Sequence, residues 1–349
     1  MRLPCSIPDI APEGSGTTTD TLGMRAAVVR RLRIGRLVLL ASATAATATA
    51  VVPTASAAVR RPFERASIWN TPVPEHARVA PNSAALVDNL VAQVTTYGPW
   101  INTWAYSSSI YTVPTDQPRV RVRLDTTMAK LQAAFASVPL PAKAIPAAGT
   151  DGHLIVWQPT TDRYWEFWKL RRASDGWHAR WGGALSHASS NQGYFPAPFG
   201  ATGTGLPLFA GLIRVAELRA LRIDHALALA IPRAKAHSFV WPAQRSDGAS
   251  PLPNAIPEGT RLRIDPHLDL DTLGLPPAGL AIASAAQRYG IIVRDAAGAV
   301  TFYGEDPARF GVTNPYVEIF GGKYASNVLA NFPWRRLQVL APPRDRGTR

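Results

Sequence analysis

Acidic, imidazole and aromatic side chains recur at two-residue spacing across residues 151–169. Residues 159–162 read Pro-Thr-Thr-Asp, a sequence typical of the loop of a β-hairpin. Because alternate residues of a strand point to the same side of a sheet, this loop determines which side chains share a face. The predicted face carries Asp151, His153, Ile155 and Trp157 from the first strand and Tyr164, Glu166 and Trp168 from the second.

Such a face is typical of a sugar-binding groove, since aromatic rings stack on pyranose rings and carboxylates bind hydroxyls or transfer protons. Burying three unpaired ionisable groups would be costly, so we expect this face to be open to solvent. The alternative is a solvated strand face with aromatic cross-strand pairs and no catalysis. We predict as catalytic residues Asp151, His153 and Glu166, and as substrate-binding residues Trp157, Tyr164 and Trp168.

Two further histidines are candidate catalytic residues. His187 lies in residues 181–193, a loop of small polar residues of the kind that presents site residues on a rigid body. His225 stands at the start of a predicted strand, residues 223–231, where a polar group beside an apolar run needs a reason. The alternatives are a surface histidine for the first and a hydrogen-bonded core histidine for the second.

Four more side chains are candidate substrate-binding residues. Trp181 begins the polar loop, Gln244 and Arg245 follow a predicted strand at 237–241, and Tyr303 lies in the last predicted strand. An arginine in such a loop can bind a carboxylate or a pair of hydroxyls.

The chain lacks the short motifs that indicate a metal or a cofactor. It has no His-Glu-x-x-His, no paired Cys, no EF-hand loop and no Gly-x-Ser-x-Gly. Residues 200–207 are glycine-rich but lack the Lys of a phosphate-binding loop. We therefore predict no cofactor and no metal, and leave open a divalent cation at Asp151, His153 and another His.

Short strands bounded by Pro and Gly dominate the rest of the pattern. The predicted helices cover residues 83–94, 125–137, 214–221 and 278–289. The predicted strands cover residues 119–123, 153–158, 163–170, 176–181, 223–231, 237–241, 260–265, 290–295 and 299–304, the last two joined as a hairpin. This pattern predicts a mainly β fold: a β-sandwich or jelly-roll-like (concanavalin-like) single domain with a few peripheral helices.

Residues 1–57 are predicted to be a leader with a signal peptide. A basic segment after Met24, the predicted start, precedes an apolar stretch and an Ala-Ser-Ala cleavage site. The apolar stretch is too short for a membrane anchor. We predict secretion by the general route rather than the twin-arginine route, one secreted domain at 58–341 and a flexible tail at 342–349. The one Cys, Cys5, lies in the leader, so the mature chain is cysteine-free.

The formal charge of +13 comes from 37 basic and 24 acidic residues. Six Arg and three acids lie in the leader, which lowers the charge of the mature chain to +10. The basic residues comprise 32 Arg and 5 Lys, a bias that a GC-rich genome also produces. The Arg residues are scattered along the sequence and the predicted location is extracellular, which argues against nucleic acid as a partner. A basic chain nevertheless attracts acidic polymers.

Several short motifs together resemble a group of secreted bacterial proteins that is common in actinobacteria. They are Asp-Gly-His at 151–153, Tyr-Trp-Glu at 164–166, Gly-Leu-Pro at 205–207, Gly-Leu-Ile-Arg at 211–214, Ile-Asp-His-Ala-Leu at 223–227, Trp-Pro-Ala-Gln-Arg at 241–245 and Gln-Arg-Tyr-Gly-Ile at 287–291. The resemblance implies an exported single domain. It implies no reaction, cofactor or catalytic residue.

The predicted function is that of a secreted carbohydrate-active enzyme, a monomeric glycoside hydrolase acting on an extracellular or cell-wall polysaccharide. Asp151 and Glu166 would be its carboxylate pair, assisted by a histidine. The first alternative is a polysaccharide lyase on an acidic glycan, with Gln244 or Arg245 neutralising a uronate carboxylate. The second is a non-catalytic surface protein that binds glycan or the cell wall.

Overall fold

The computed structural model describes residues 62–311 and 313–342. The predicted signal peptide, the start at Met24, Cys5 and the tail after Pro342 lie outside these residues. Within the described ranges, no helix has both the length and the apolar character needed to cross a membrane.

The strands of the described residues are β1 (Pro99–Asn102), β2 (Ser109–Thr112), β3 (Val122–Leu124), β4 (Leu154–Gln158), β5 (Arg163–Trp168), β6 (Arg171–Ala173), β7 (Gly176–Ala179), β8 (Trp181–Ser186), β9 (Leu227–Ile231), β10 (Arg261–Ile264), β11 (Ile291–Ala296), β12 (Val300–Tyr303) and β13 (Leu337–Val339). The α-helices are α1 (Ser83–Tyr97), α2 (Ala129–Ala134), α3 (Val215–Arg219), α4 (Pro277–Arg288), α5 (Pro315–Ile319) and α6 (Ala325–Val328). More residues lie in strands than in α-helices, so the prediction of a mainly β fold is confirmed.

In this part of the chain the strands form three sheets, and each sheet mixes parallel and antiparallel pairs. The six-stranded sheet has the order β1-β12-β9-β11-β10-β13, the four-stranded sheet β2-β4-β5-β8 and the three-stranded sheet β3-β7-β6. The parallel pairs are β1 with β12, β9 with β11, β2 with β4, and β3 with β7. The predicted jelly-roll pattern, which is antiparallel, does not include such pairs.

Two other sequence predictions differ from the fold. The hairpin predicted from residues 290–295 and 299–304 is wrong, because β9 lies between β11 and β12 and pairs with both. β9 is buried along its whole length, as a central strand covered on both faces must be. Residues 181–193, predicted as a loop, contain β8, and residues 237–241 form only an isolated bridge at Phe239.

Three clusters of buried apolar side chains separate the layers. The first lies between one face of the six-stranded sheet and helices α1 and α4. The second takes side chains from the other face of that sheet and from the four-stranded sheet. The third lies on the far face of the four-stranded sheet, with α2 and the three-stranded sheet. The alternation in β9 places Leu227, Leu229 and Ile231 in the first cluster and Ala228 and Ala230 in the second.

The predicted hairpin between β4 and β5 is confirmed in its register. Gln158 pairs with Arg163 and Trp157 with Tyr164, as the four-residue loop requires. Asp162 closes the loop in the left-handed conformation, with φ 53°, which Asp tolerates better than most residues.

Gly259 tests how tightly the segment before β10 is packed. Its φ is +86°, and a Cβ added there would lie 1.8 Å from the carbonyl oxygen of Val240. Gly98, after α1, has a φ of +77° and open space around it, so it is a matched control. We expect Gly98→Ala to lower the free energy of unfolding by about 1 kcal/mol through backbone strain alone. Gly259→Ala should lower it by about 3 kcal/mol or more, because backbone must also move. Urea denaturation of both variants checks this, and equal losses would contradict the packing.

Candidate functional site

An irregularity in the six-stranded sheet turns two charged residues toward the four-stranded sheet. β11 pairs with β9 through Val293 with Leu229 and then Asp295 with Ala230, so Arg294 is an extra residue, a β-bulge. Ala230 belongs to the second core cluster, which contains side chains of both sheets. Because residues paired across neighbouring strands face the same side, Asp295 is turned toward that cluster as well.

Asp151 and His153 reach the same place from the four-stranded sheet, immediately before β4. The indole N–H of Trp168, the last residue of β5, donates to Asp151 Oδ1 at 3.2 Å. The backbone N–H of Lys169 donates to the Asp151 carbonyl at 2.6 Å. These two bonds fix a half-buried carboxylate at the open end of the β4–β5 hairpin.

The His153 side chain is buried and neutral. The residue is 5% exposed, and its Nδ1 atom has no hydrogen-bond partner in the described part of the chain. Burial disfavours the charged imidazole and lowers the pKa of His153 to about 4, while the negative charge of Asp151 acts in the opposite direction. The positive charge of Arg294 adds to the lowering. At neutral pH His153 therefore carries no charge.

Electrostatic interactions connect residues of the four-stranded sheet with residues of the six-stranded sheet. Burial, together with the charges of Asp247 and Asp151, raises the pKa of Asp295 to about 7. Burial also raises the pKa of Tyr303, and the charges of Asp295 and Asp151 act in the same direction, so Tyr303 remains a neutral phenol. The charge of Asp151 also raises the pKa of His153, against the larger lowering by burial. These side chains are therefore close enough for each charge to affect its neighbours.

Asp247 and Glu258 add two carboxylates beside Asp295. One oxygen from each of the three residues lies within 4.8 Å of the other two. Burial, together with the neighbouring charge of Asp247, raises the pKa of Glu258 to about 9. Carboxylate oxygens at this spacing are donors that a hard divalent cation prefers, so these residues could hold a metal.

Two exposed aromatic residues lie in the connection between β1 and β2, and one of them is close to the segment that precedes Asp151. Tyr106 is 41% exposed, and its ring lies against Gly149, two residues before Asp151. Trp104, which is 49% exposed, belongs to the same connection between β1 and β2. Together with the half-buried ring of Trp168, they offer surfaces on which a sugar could stack.

Glu166 does not belong to this group of residues. It is fully buried, and its carboxylate accepts hydrogen bonds from the Tyr164 hydroxyl at 2.6 Å and from the backbone N–H groups of Ala201 and Leu208 at 2.6 and 2.7 Å. Burial raises the pKa of Glu166, and these three donors oppose that rise. The expectation that this strand face is open to solvent is wrong at Glu166, because the second core cluster and the loop 199–208 cover it.

The second core cluster also buries two of the aromatic side chains that were predicted to bind substrate. Trp157 and Tyr164 are 3% and 0% exposed and belong to the second core cluster, so the expected exposure is wrong for both. Trp181 packs against the third cluster and donates its indole N–H to the Pro198 carbonyl at 3.2 Å. Of the predicted tryptophans, Trp168 is the one that contacts Asp151.

Gln244 and Arg245 hold backbone groups. The Gln244 side-chain amide donates to the Pro242 carbonyl at 2.9 Å. The Arg245 guanidinium donates to the carbonyls of Pro198, Phe199, Gly200 and Thr202. Both side chains were predicted to bind substrate, but here they donate hydrogen bonds to backbone carbonyls of the protein.

Arg294 and Tyr303 lie together beneath the site. Arg294 is fully buried and donates to the carbonyls of Leu208 and Ala210 at 2.9 and 3.1 Å. Its guanidinium lies 4.1 Å from the centroid of the Tyr303 ring. Tyr303, predicted to bind substrate, is 5% exposed.

His187 lies at the far end of the four-stranded sheet. It is exposed just after β8, whose last residue pairs with Arg163 at the start of β5. Asp151 contacts Trp168 at the end of β5. Five residue steps along a strand separate these ends, roughly 17 Å.

His225 is likewise distant from Asp295. It precedes β9, about five residue steps or roughly 17 Å from Ala230, the partner of Asp295. It is buried, with Nε2 3.1 Å from the Glu217 carboxylate and Nδ1 2.8 Å from the Ala226 carbonyl. His225 also borders a small pocket whose other walls include Phe63, Trp69, Phe209 and Arg214.

Sequence reasoning assigned no role to Asp247, Glu258, Arg294 or Asp295. One signal was available for Asp295. Arg294 and Asp295 follow three apolar residues of one strand, and charged residues are rarely buried without a partner.

Comparison of the chain with models of known protein families, with curated proteins and with solved structures finds no match. The interpretation of the site therefore rests on its own chemistry.

Glu166→Gln tests the structural role of the buried carboxylate. The amide that replaces one oxygen cannot accept from an N–H or O–H donor, so at least one donor loses its partner. We expect a loss of about 2 kcal/mol or more in the free energy of unfolding, measured by urea denaturation. Glu318→Gln, at a side chain that is 84% exposed, is the control and should change stability little. Wild-type stability in Glu166→Gln would contradict this role.

The depressed pKa of His153 predicts a loss of stability in acid. In the unfolded chain His153 binds a proton once the pH falls below the ordinary pKa of about 6.5. In the folded chain His153 binds that proton only near pH 4. Stability therefore falls as the pH falls through this window, by about 2 kcal/mol between pH 7 and pH 5 for this residue. His153→Gln should lose that much less than wild type over the same range, whereas the exposed control His187→Gln should match wild type. Identical profiles for His153→Gln and wild type would contradict the neutral, buried imidazole.

Proposed function

We propose that the protein is a carbohydrate-active enzyme, a glycoside hydrolase that acts on a polysaccharide outside the cell. The observation that carries the proposal is that two half-buried carboxyl groups, Asp151 and Asp295, lie near enough for the charge of Asp151 to act on Asp295, beside neutral His153. The exposed rings of Trp104 and Tyr106 support it, because such rings bind sugars by stacking. The predicted signal peptide supports an extracellular substrate.

Asp151 and Asp295 replace the carboxylate pair expected from the sequence. Glycoside hydrolysis uses one carboxyl group to protonate the leaving oxygen and a second to attack the sugar or to activate water. Asp151 comes from the residues immediately before β4 and Asp295 from the bulge of the six-stranded sheet, and in this proposal a sugar binds where it meets both. Glu166 is a weaker candidate, because its carboxylate is enclosed by three donors.

His153 has a supporting role in this proposal. A protonated imidazole beside Asp151 would compensate the charge of the carboxylate and weaken its action on a sugar. Because burial keeps His153 neutral, no imidazolium charge stands beside the Asp151 side chain.

We also infer that the two larger sheets form the sandwich predicted from the sequence. The support is the second core cluster, which contains Ile155 and Leu185 from the four-stranded sheet together with Ala230 and Ile292 from the six-stranded sheet.

Activity screening tests the proposed function. Purified protein is incubated with neutral and uronate-containing polysaccharides, and the assay reads new reducing ends and the absorbance of an unsaturated product. We expect reducing ends from a neutral glycan without unsaturated product. Asp151→Asn should lower kcat by about 100-fold or more, the usual contribution of a general acid or base.

Asp116→Asn, at an exposed turn, is the matched control and should retain wild-type kcat. Unsaturated product would instead identify a lyase, and glycan binding without turnover would identify a wall-binding protein. Wild-type activity in Asp151→Asn would remove this residue from the reaction.

A further inference from the structure

We propose that Asp247, Glu258 and Asp295 form a binding site for a calcium ion. One carboxylate oxygen from each residue lies within 4.8 Å of the other two. Calcium binds oxygen at about 2.3–2.6 Å, so two oxygens on one ion can stand about 5 Å apart. Three oxygens on one ion can stand up to about 4.5 Å from one another, so shifts of about a few tenths of an ångström would bring all three carboxylates to a single ion.

Glu258 supplies an independent observation that points to a ligand. The residue is fully buried, and its Oε2 accepts a hydrogen bond from the Asp247 backbone N–H at 3.1 Å. Its Oε1 is buried and receives no hydrogen bond. A buried carboxylate oxygen without a donor is unfavourable, and a cation bound among the three carboxylates would satisfy it.

No side-chain cation neutralises the cluster by contact. Within residues 62–311 and 313–342, no Lys, Arg or His forms an ion pair with any of the three carboxylates. Arg245 and Arg294, whose charges act on Asp295, both donate to backbone carbonyls. The backbone N–H of Gly203 donates to Asp295 Oδ1 at 3.2 Å, which leaves the net charge unchanged.

The donor set favours calcium over other divalent ions. All three ligands are hard oxygens, whereas zinc sites use mainly His and Cys. Calcium accepts six to eight oxygens in flexible geometry, while magnesium requires a near-ideal octahedron and usually keeps several waters. Asp247 is exposed and Glu258 is buried, so the ion would contact protein on one side and water or hydroxyl oxygens on the other.

Calorimetric titration of the full chain with calcium chloride, after treatment with a chelator, tests the site. We expect one calcium ion per chain, with a Kd of about 10⁻⁴–10⁻³ M, and magnesium binding at least about tenfold more weakly. Glu258→Gln and Asp247→Asn should each weaken calcium binding at least about tenfold, because each removes an anionic ligand. Glu318→Gln and the exposed Asp271→Asn are matched controls and should bind as wild type does.

Thermal unfolding separates loss of the site from misfolding. Glu258→Gln keeps the length and shape of the side chain, so in the presence of chelator it should still unfold in one cooperative transition near the Tm of wild type. Calcium should raise the Tm of wild type and leave that of Glu258→Gln unchanged. The proposal is overturned by any of three results: no binding at about 10 mM calcium, ten times the weakest expected Kd; unchanged affinity in Glu258→Gln; or magnesium binding as tight as calcium. Ion binding is read without a glycan, so a failed activity screen does not affect this test.

Discussion

The loop at residues 199–208 is enclosed between the sheets, and its backbone polar groups must be satisfied there. Three charged side chains do this. Glu166, from the four-stranded sheet, accepts from two of its N–H groups, whereas Arg294 and Arg245 donate to its carbonyls and to those of the flanking residues. A loop usually avoids the interior because such partners are lacking, and here the sheets supply them. Removing one partner would leave a buried donor or acceptor unpaired, which is more costly than losing an exposed bond.

This loop also determines the geometry of the carboxylate cluster. Gly203 donates its N–H to Asp295, and the Asp247 carboxylate lies so close that a Cβ on Gly203 would be 2.5 Å from Asp247 Cγ. The Thr204 hydroxyl donates to the carbonyl of Arg294, the bulged residue, at 2.6 Å. The same contacts that make the buried loop tolerable therefore hold Asp295 where it can act with Asp247 and Glu258. Structure and candidate chemistry share these contacts, so variants in the loop are expected to affect both.

The part of the structure that could be predicted is the part that depends on neighbours in sequence. The β4–β5 register follows from strand alternation and one turn, both of which are local. Whether Glu166 meets solvent or a second sheet depends on residues far along the chain, and no local pattern reports it. Parallel strand pairs such as Pro99 with Val300 are difficult to predict for the same reason, because their partners lie far apart in the sequence. The bulge at Arg294 is harder still to predict, because simple alternation assigns Arg294 and Asp295 to opposite faces, whereas the inserted residue turns both toward the four-stranded sheet.

The net charge of the chain and the local charge of the site have opposite signs, and the local charge should govern recognition. The chain carries +13, yet Asp151, Asp247 and Asp295 present exposed or half-buried carboxyl groups close together, with Glu258 buried beside them. Dispersed surface arginines act on a ligand through water, where salt screens charges beyond about 10 Å, whereas these carboxylates act at contact distance. A uronate would meet repulsion there, while a neutral sugar can donate its hydroxyls to the same oxygens. A bound divalent cation would cancel two negative charges when all four acids are ionised, which reduces this preference for neutral sugars without reversing it.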